Sequence, residues 1–187
     1  MSNIPVALVT GGSRGIGRAA AEELAREGYK VALIARTPER LEAAARELAE
    51  TLGLDAEHAP LTFALDVGDG QAVGDAVDRL AAEWGRIDVL FNSAGVSIPG
   101  TLELGADTLD LLYRTNLRAP FLFMKHVIPI MRRQGSGYIF NLASRNGKIG
   151  VAAGIRPPNS GSWGSGKCST GNSPRRGSRS RHCAPAG

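Results

Sequence analysis

Three glycines near the start of the chain are spaced for phosphate chemistry. In "VTGGSRGIGRAA" they stand at Gly11, Gly15 and Gly17, with Ser13, Arg14 and Ile16 between them. Glycine lets the backbone turn tightly and approach a pyrophosphate. The N–H groups and positive dipole end of the helix that follows meet its charge. A second group of residues bears on which dinucleotide is held. Domains that prefer NAD place a carboxylate at the end of their second strand, where it accepts from the ribose 2′-OH and repels a 2′-phosphate. That position reads "LIARTPER", with no acid at Ala35 or Arg36. Arg36 and Arg14 are instead suited to clasp a phosphate between them, and the cofactor expected is NADP(H) rather than NAD.

These residues need rigid elements behind them, and the hydrophobic pattern supplies them. Continuously apolar runs, read as buried strands, occupy 5 to 10, 30 to 35, 61 to 65, 87 to 91 and 137 to 143. Helical segments separate them. One begins after the glycine turn and ends at Gly28, a suitable left-handed terminator. Another starts at Thr37-Pro38, a cap followed by a preset first turn. A third places Val73, Ala76, Val77, Leu80 and Trp84 on one face and closes at Gly85. A long helical region covers roughly 103 to 133. Apolar strands alternating with helices predict an α/β fold, a Rossmann-like doubly wound parallel sheet that stops after its fifth strand. Ligands of such sheets sit beyond the carboxyl ends of the strands.

With the elements placed, the spacing Thr10-Gly11-x-x-x-Gly15-x-Gly17 resembles that of the short-chain dehydrogenase/reductase family. Further matches follow in order. Asp66-Val67, at the end of the third strand, resembles the pair that contacts the adenine ring. "NSAG", Asn92 to Gly95 and including Ala94, is similar to the family's usual NNAG, with Ser93 as a departure. Asn116 in "RTNLRAPF" matches the helix asparagine of the family's catalytic tetrad, and Ser144 in "NLASRNG" matches its serine. The resemblance implies direct hydride transfer between the nicotinamide and a carbonyl or alcohol carbon. In it the serine orients the substrate oxygen and the asparagine supports a water chain. A tyrosine in a Tyr-x-x-x-Lys motif is the general acid/base, its pKa lowered by the neighbouring ammonium.

That tyrosine is missing from its place after Ser144. The chain's tyrosines are Tyr29, Tyr113 and Tyr138, and none has a lysine four residues on. The genetic code suggests why. If each codon's third base from Gly154 onward is joined to the first two bases of the next codon, Gly154-Ile155 permits Tyr and Pro158-Asn159 permits Lys four codons later. Trp163, Cys168 and Cys183 begin with TG, so the displaced codons they create must encode apolar residues. Residues from about 155 onward are therefore expected to come from a shifted reading frame.

Two regions result: a dinucleotide-binding domain over 1–154 and a basic Gly/Ser/Arg tail over 155–187. The tail has almost no aliphatic residues and is expected to be disordered. It also accounts for the sign of the net charge. Residues 156–187 hold six basic and no acidic side chains, so the formal +4 of the whole chain becomes −2 over residues 1–155, 16 basic against 18 acidic. Nucleic-acid binding through this tail is not expected, because Trp163 is its only aromatic platform. Cys168 and Cys183, with only His182 nearby, provide too few ligands for zinc, and no metal site is expected. The N-terminus lacks a secretory pattern and no apolar run is long enough to span a bilayer, which predicts a cytoplasmic protein. The family resemblance implies a small carbonyl or alcohol substrate. Family dimers use the long helix after the fourth strand together with the one that starts at the tyrosine, so the usual assembly is not expected of this chain. Strand five is expected to present an unpaired, apolar edge.

Overall fold

The computed structural model describes residues 4–98 and 105–143, and the strand assignment of 166–167. Five strands lie in sequence order with helices between them: β1 Val6–Thr10, α1 Gly15–Arg26, β2 Lys30–Ala35, α2 Pro38–Leu52, β3 Leu61–Ala64, α3 Gly70–Trp84, β4 Val89–Asn92, α4 Ala106–Tyr113, α5 Ala119–Gln134 and β5 Tyr138–Asn141. Gly166–Lys167 forms a two-residue β6. The strand order is β3-β2-β1-β4-β5-β6. The first five strands are parallel. The outer edge of β5 is not unpaired as expected: β6 pairs antiparallel with it, Lys167 opposite Tyr138 and Gly166 opposite Ile139, which occupies part of its backbone hydrogen-bonding edge. The predicted doubly wound sheet is present, with its order reversing at β1 and β4, where a crevice opens beyond the strand ends.

The apolar residues divide between the two faces as alternation requires. On one face Leu8, Ile34, Phe63 and Leu90 pack with Val73, Val77 and Leu80 of α3 and Phe123, Val127 and Met131 of α5. On the other, Val9, Leu33 and Val89 pack with Ala21 and Ala25 of α1 and Leu41 and Leu48 of α2. Every residue of β1 is buried, which is why that strand reads as an unbroken apolar run. The exposed side chains of β5 are large: Tyr138, Phe140 and Leu142 just beyond it. Among the described residues no helix is long and apolar enough to cross a membrane.

The helix boundaries follow local chemistry. Gly28, Gly53, Gly85 and Gly135 all take positive φ just past a helix end, where only glycine avoids a Cβ clash. At the start of α3 the Asp69 side chain accepts from the Gln71 and Ala72 amides. The start of α2 differs from expectation: Thr37 occupies the cap position, yet its hydroxyl makes no capping bond, and Pro38 sets the first turn. The long helical region is one continuous rod interrupted by a π-turn at Arg114–Arg118, which separates α4 from α5.

Side chains fasten the amino edge of the sheet. Asp88 Oδ2 accepts from the Val6 N–H at 2.9 Å and from Arg86 Nε at 2.8 Å, while Oδ1 accepts from Arg86 Nη2 at 2.7 Å. The bond to Asp88 holds the Arg86 guanidinium above its ordinary pKa. Gln134 clasps Ile87, accepting from its N–H at 2.9 Å and donating to its carbonyl at 3.0 Å. Replacing Asp88 with Ala deprives the Val6 N–H of this acceptor, and the loss expected is about 2 kcal/mol of unfolding free energy. A urea midpoint equal to that of the parent chain would show that this network contributes nothing.

Candidate active site

The carboxyl edge of the sheet is assembled around Thr10. This residue is 1% exposed, and its Oγ1 accepts from the amides of Ser93 and Ala94, each at 3.0 Å. The hydroxyl of β1 thus fixes the chain as it leaves β4. In "NSAG" it is the backbone of Ser93 that serves, which explains how a residue other than Asn is accommodated there. Asn92 Nδ2 donates to Asn141 Oδ1 across the β4–β5 register at 2.8 Å, and Asn141 in turn donates to the Met124 sulfur. The Asn92 Oδ1 atom is buried with no hydrogen-bond partner among the described residues.

The glycines act by close approach. Gly11 has φ +70, and a Cβ there would lie 3.0 Å from the Ala94 nitrogen. At Gly17 a Cβ would overlap the Gly11 carbonyl oxygen and come within 2.8 Å of its carbon, so α1 presses directly on the turn before it. Gly12 faces Leu33 in the same way, its Cβ position 2.9 Å from Leu33 Cδ2. The Gly11 and Gly12 amides both donate to the Ile34 carbonyl, at 2.8 and 3.1 Å, which leaves them unavailable to a ligand. Gly15 is different. With φ +58, its Cβ would meet nothing within 4 Å, so open space lies over the start of α1.

That start has no side-chain cap. Arg14 holds the cap position in extended conformation, its carbonyl accepting from the Arg18 N–H while its side chain makes no capping bond, and the first turn contains no acid. The leading amides of α1 and its dipole therefore face open space, the arrangement in which helix termini take anions. Ile16 is 60% exposed beside them, an apolar surface at the rim of a polar cradle. Arg14 and Arg36 are both exposed at the carboxyl ends of adjacent strands, and among the described residues neither forms an ion pair. The uncapped start of α1 suits an anion such as a pyrophosphate, and Arg14 and Arg36 are exposed cations nearby.

Asp66 and Val67 follow β3 along the same edge. Val67 is buried in the core. The Asp66 carboxylate accepts from the Gly68 N–H at 2.8 Å and from Arg114 Nη2 at 3.0 Å. The helix is capped by Asp69, not by Asp66.

Asn116 lies within the π-turn, and its amide is fully engaged. Its Oδ1 accepts from the Val96 N–H and its Nδ2 donates to the Val96 carbonyl, both at 2.8 Å. Gly95 lies against this amide, its Cβ position 3.4 Å from Oδ1. The side chain is thus a clamp on the loop after β4, and π-turns commonly accompany functional positions in helices. Ser144 and the tail from 155 lie outside the described residues, apart from the pairing of β6.

Thr10, the glycines, Arg14, Ile16, Arg36, Asp66, Asn92, Ala94, Gly95 and Asn116 lie on or just beyond the carboxyl ends of the strands. Sequence reasoning missed Gly12, Asn141, Val96 and Arg114. Asn141 ends its strand opposite Asn92, and this repetition of one residue at adjacent strand ends was a usable signal. Val96 contributes only its backbone, which no side-chain pattern reveals.

The model of the short chain dehydrogenase family matches residues 5–156. The uncharacterized oxidoreductase YxjF of Bacillus subtilis (strain 168) is 44% identical over 148 residues, covering 79% of this chain and 56% of that one. Among solved structures, the L-sorbose reductase of Gluconobacter frateurii complexed with NADPH and L-sorbose is similar with a TM-score of 0.67 at 34% identity, covering 72% of this chain and 50% of that one. A metagenomic short-chain oxidoreductase in complex with NADP gives a TM-score of 0.72 at 37% identity, covering 79% and 66%. The chain spans about half the length of the curated relatives it matches, 54 to 56% for the first three. A glycine turn pressed against its helix, a threonine tying the two central strands and an asparagine clamp in a π-turn occur together in a chain whose family match covers most of its length, and this chain belongs to the short-chain dehydrogenase family.

Proposed function

We propose that this chain carries the cofactor-binding part of an oxidoreductase that moves hydride between NADP(H) and a carbonyl or alcohol carbon of a small molecule. The observation that carries the reading is the uncapped start of α1 beneath open space at Gly15. When bound, the cofactor supplies the hydride acceptor or donor. The chain's residues hold and orient it. The amides following Arg14 take the pyrophosphate, Asp66 and Val67 meet the adenine, and Asn116 keeps the loop after β4 in place beside it. Ser144 is the residue suited to orient the substrate oxygen. The phosphate form is favoured because Arg36 stands where a carboxylate would select NAD, and because the sorbose reductase and the metagenomic enzyme carry NADPH and NADP. The setting proposed is the cytoplasm and the substrate a small carbonyl or alcohol compound, without a nucleic-acid partner and without the usual family assembly.

A second reading, cofactor binding without turnover, is favoured by the positions of the tyrosines. Tyr29 and Tyr138 lie at the amino ends of β2 and β5, opposite the site, and Tyr113 is 59% exposed on α4. None is placed as a general acid in the crevice. The family match ends at residue 156, beside the point where a displaced frame begins to permit Tyr-x-x-x-Lys. An independent read of the DNA across codons 148–160 is expected to reveal the shift, and an intact frame encoding the tail would refute it.

Cofactor binding and turnover are measured separately. NADPH fluorescence is expected to rise and saturate on titration with the full chain. Consumption of NADPH with a panel of ketones and aldehydes supports the first reading, and binding alone supports the second. No change in fluorescence with folded protein defeats both. Replacing Arg14 and Arg36 with Ala is expected to weaken NADPH binding about 10- to 100-fold, the range for charge-assisted bonds to a phosphate, while NADH binding changes little. Equal losses for the two cofactors would remove the arginines from this role.

A further inference from the structure

Arg114 is marked by neither the phosphate pattern nor the family motifs, yet its side chain reaches the site edge. Its side chain crosses from the π-turn to the end of β3, where Nη2 meets Asp66 Oδ2 at 3.0 Å. An exposed ion pair alone carries little weight, and these side chains are 45% and 44% exposed. A second observation fixes the geometry. A Cβ at Gly68 would overlap Arg114 Nε and Cγ and lie 2.8 Å from Cδ, so the arginine lies flat across the backbone of Gly68. That same Gly68 donates its N–H to the other Asp66 oxygen at 2.8 Å. The carboxylate is held from both sides: one oxygen by a backbone amide, the other by a guanidinium seated on that residue. Each oxygen keeps further acceptor capacity. Gly68 does not have positive φ, so its lack of a side chain matches the space Arg114 requires rather than a backbone conformation.

We infer that Arg114, seated on Gly68, is a positioning residue that aims the Asp66 carboxylate at the exocyclic amino group of the adenine. The inference rests on the dinucleotide reading of this edge. A carboxylate discriminates purines by polarity: it accepts from the 6-amino group of adenine and is repelled by the 6-keto oxygen of hypoxanthine. That discrimination requires a fixed carboxylate, because one free to rotate turns away from the wrong base.

The test uses the full chain, with NADPH and its hypoxanthine counterpart, deamino-NADPH, as probes. The parent chain is expected to bind NADPH about tenfold more tightly than deamino-NADPH, as for a hydrogen bond to a charged group. Arg114→Gln is expected to reduce that ratio to about threefold or less, in keeping with one lost constraint on the acceptor. Gly68→Ala keeps the amide donor to Asp66 and every charge but displaces the arginine, and it should reduce the ratio in the same way. In the Asp66→Asn background, Arg114→Gln should have no further effect on the ratio. An unchanged ratio in both single variants, with NADPH still bound, overturns this inference and leaves the dinucleotide reading standing. Failure of the folded parent chain to bind either probe overturns both.

Discussion

One oxygen atom sets the geometry of the site edge. Thr10 Oγ1 receives two amides from the chain leaving β4, and through them the two central strands end at a fixed distance. Everything that approaches the crevice is referred to that junction. The turn after Thr10 must clear Ala94, which Gly11 allows, and α1 must lie against the turn, which Gly17 allows. A valine at position 10 would keep the shape and remove the acceptor, leaving two amides to find water in a crowded place. The fold is ordinary for a parallel sheet; what distinguishes its carboxyl edge is this contact and the absence of a side-chain cap on α1.

The two edges of the sheet are secured by the same device. At the amino edge the Gln134 amide pairs with both backbone groups of Ile87. At the carboxyl edge the Asn116 amide pairs with both backbone groups of Val96. Each satisfies an orphaned donor and acceptor where strand pairing has ended. The amino-edge clasp is purely structural. The one at the carboxyl edge fixes the loop after β4, so a residue that resembles the asparagine of a catalytic tetrad acts here first by holding a loop. Its position in a π-turn links helix geometry to site geometry, since an ordinary α-turn would rotate the following residues away from their present faces.

Much of this was legible from the residues. Five apolar runs separated by helical periodicity gave the parallel sheet, because strands buried on both faces have no polar side to show. Glycine spacing gave the phosphate turn because few other residues tolerate such contacts. The Thr37 hydroxyl misled, since residue type indicates capacity to cap and not whether the bond forms. The π-turn was hidden within a helical pattern that differs from an α-helix by a single residue. Arg114 was hidden for another reason: its partners, Asp66 and Gly68, are distant in sequence and meet it only when β3 and the π-turn are folded onto one edge. Val96 was hidden because its side chain takes no part.

The central claim is that the amides opening α1 hold the pyrophosphate of a dinucleotide. The most direct measurement is the backbone amide NMR spectrum of the isotopically labelled full chain during titration with NADP. The resonances of Gly15, Ile16 and Gly17 are predicted to shift most and to saturate together, while Gly11 and Gly12, already bonded to Ile34, move less. A folded spectrum in which those three resonances stay still as NADP is added would contradict the account.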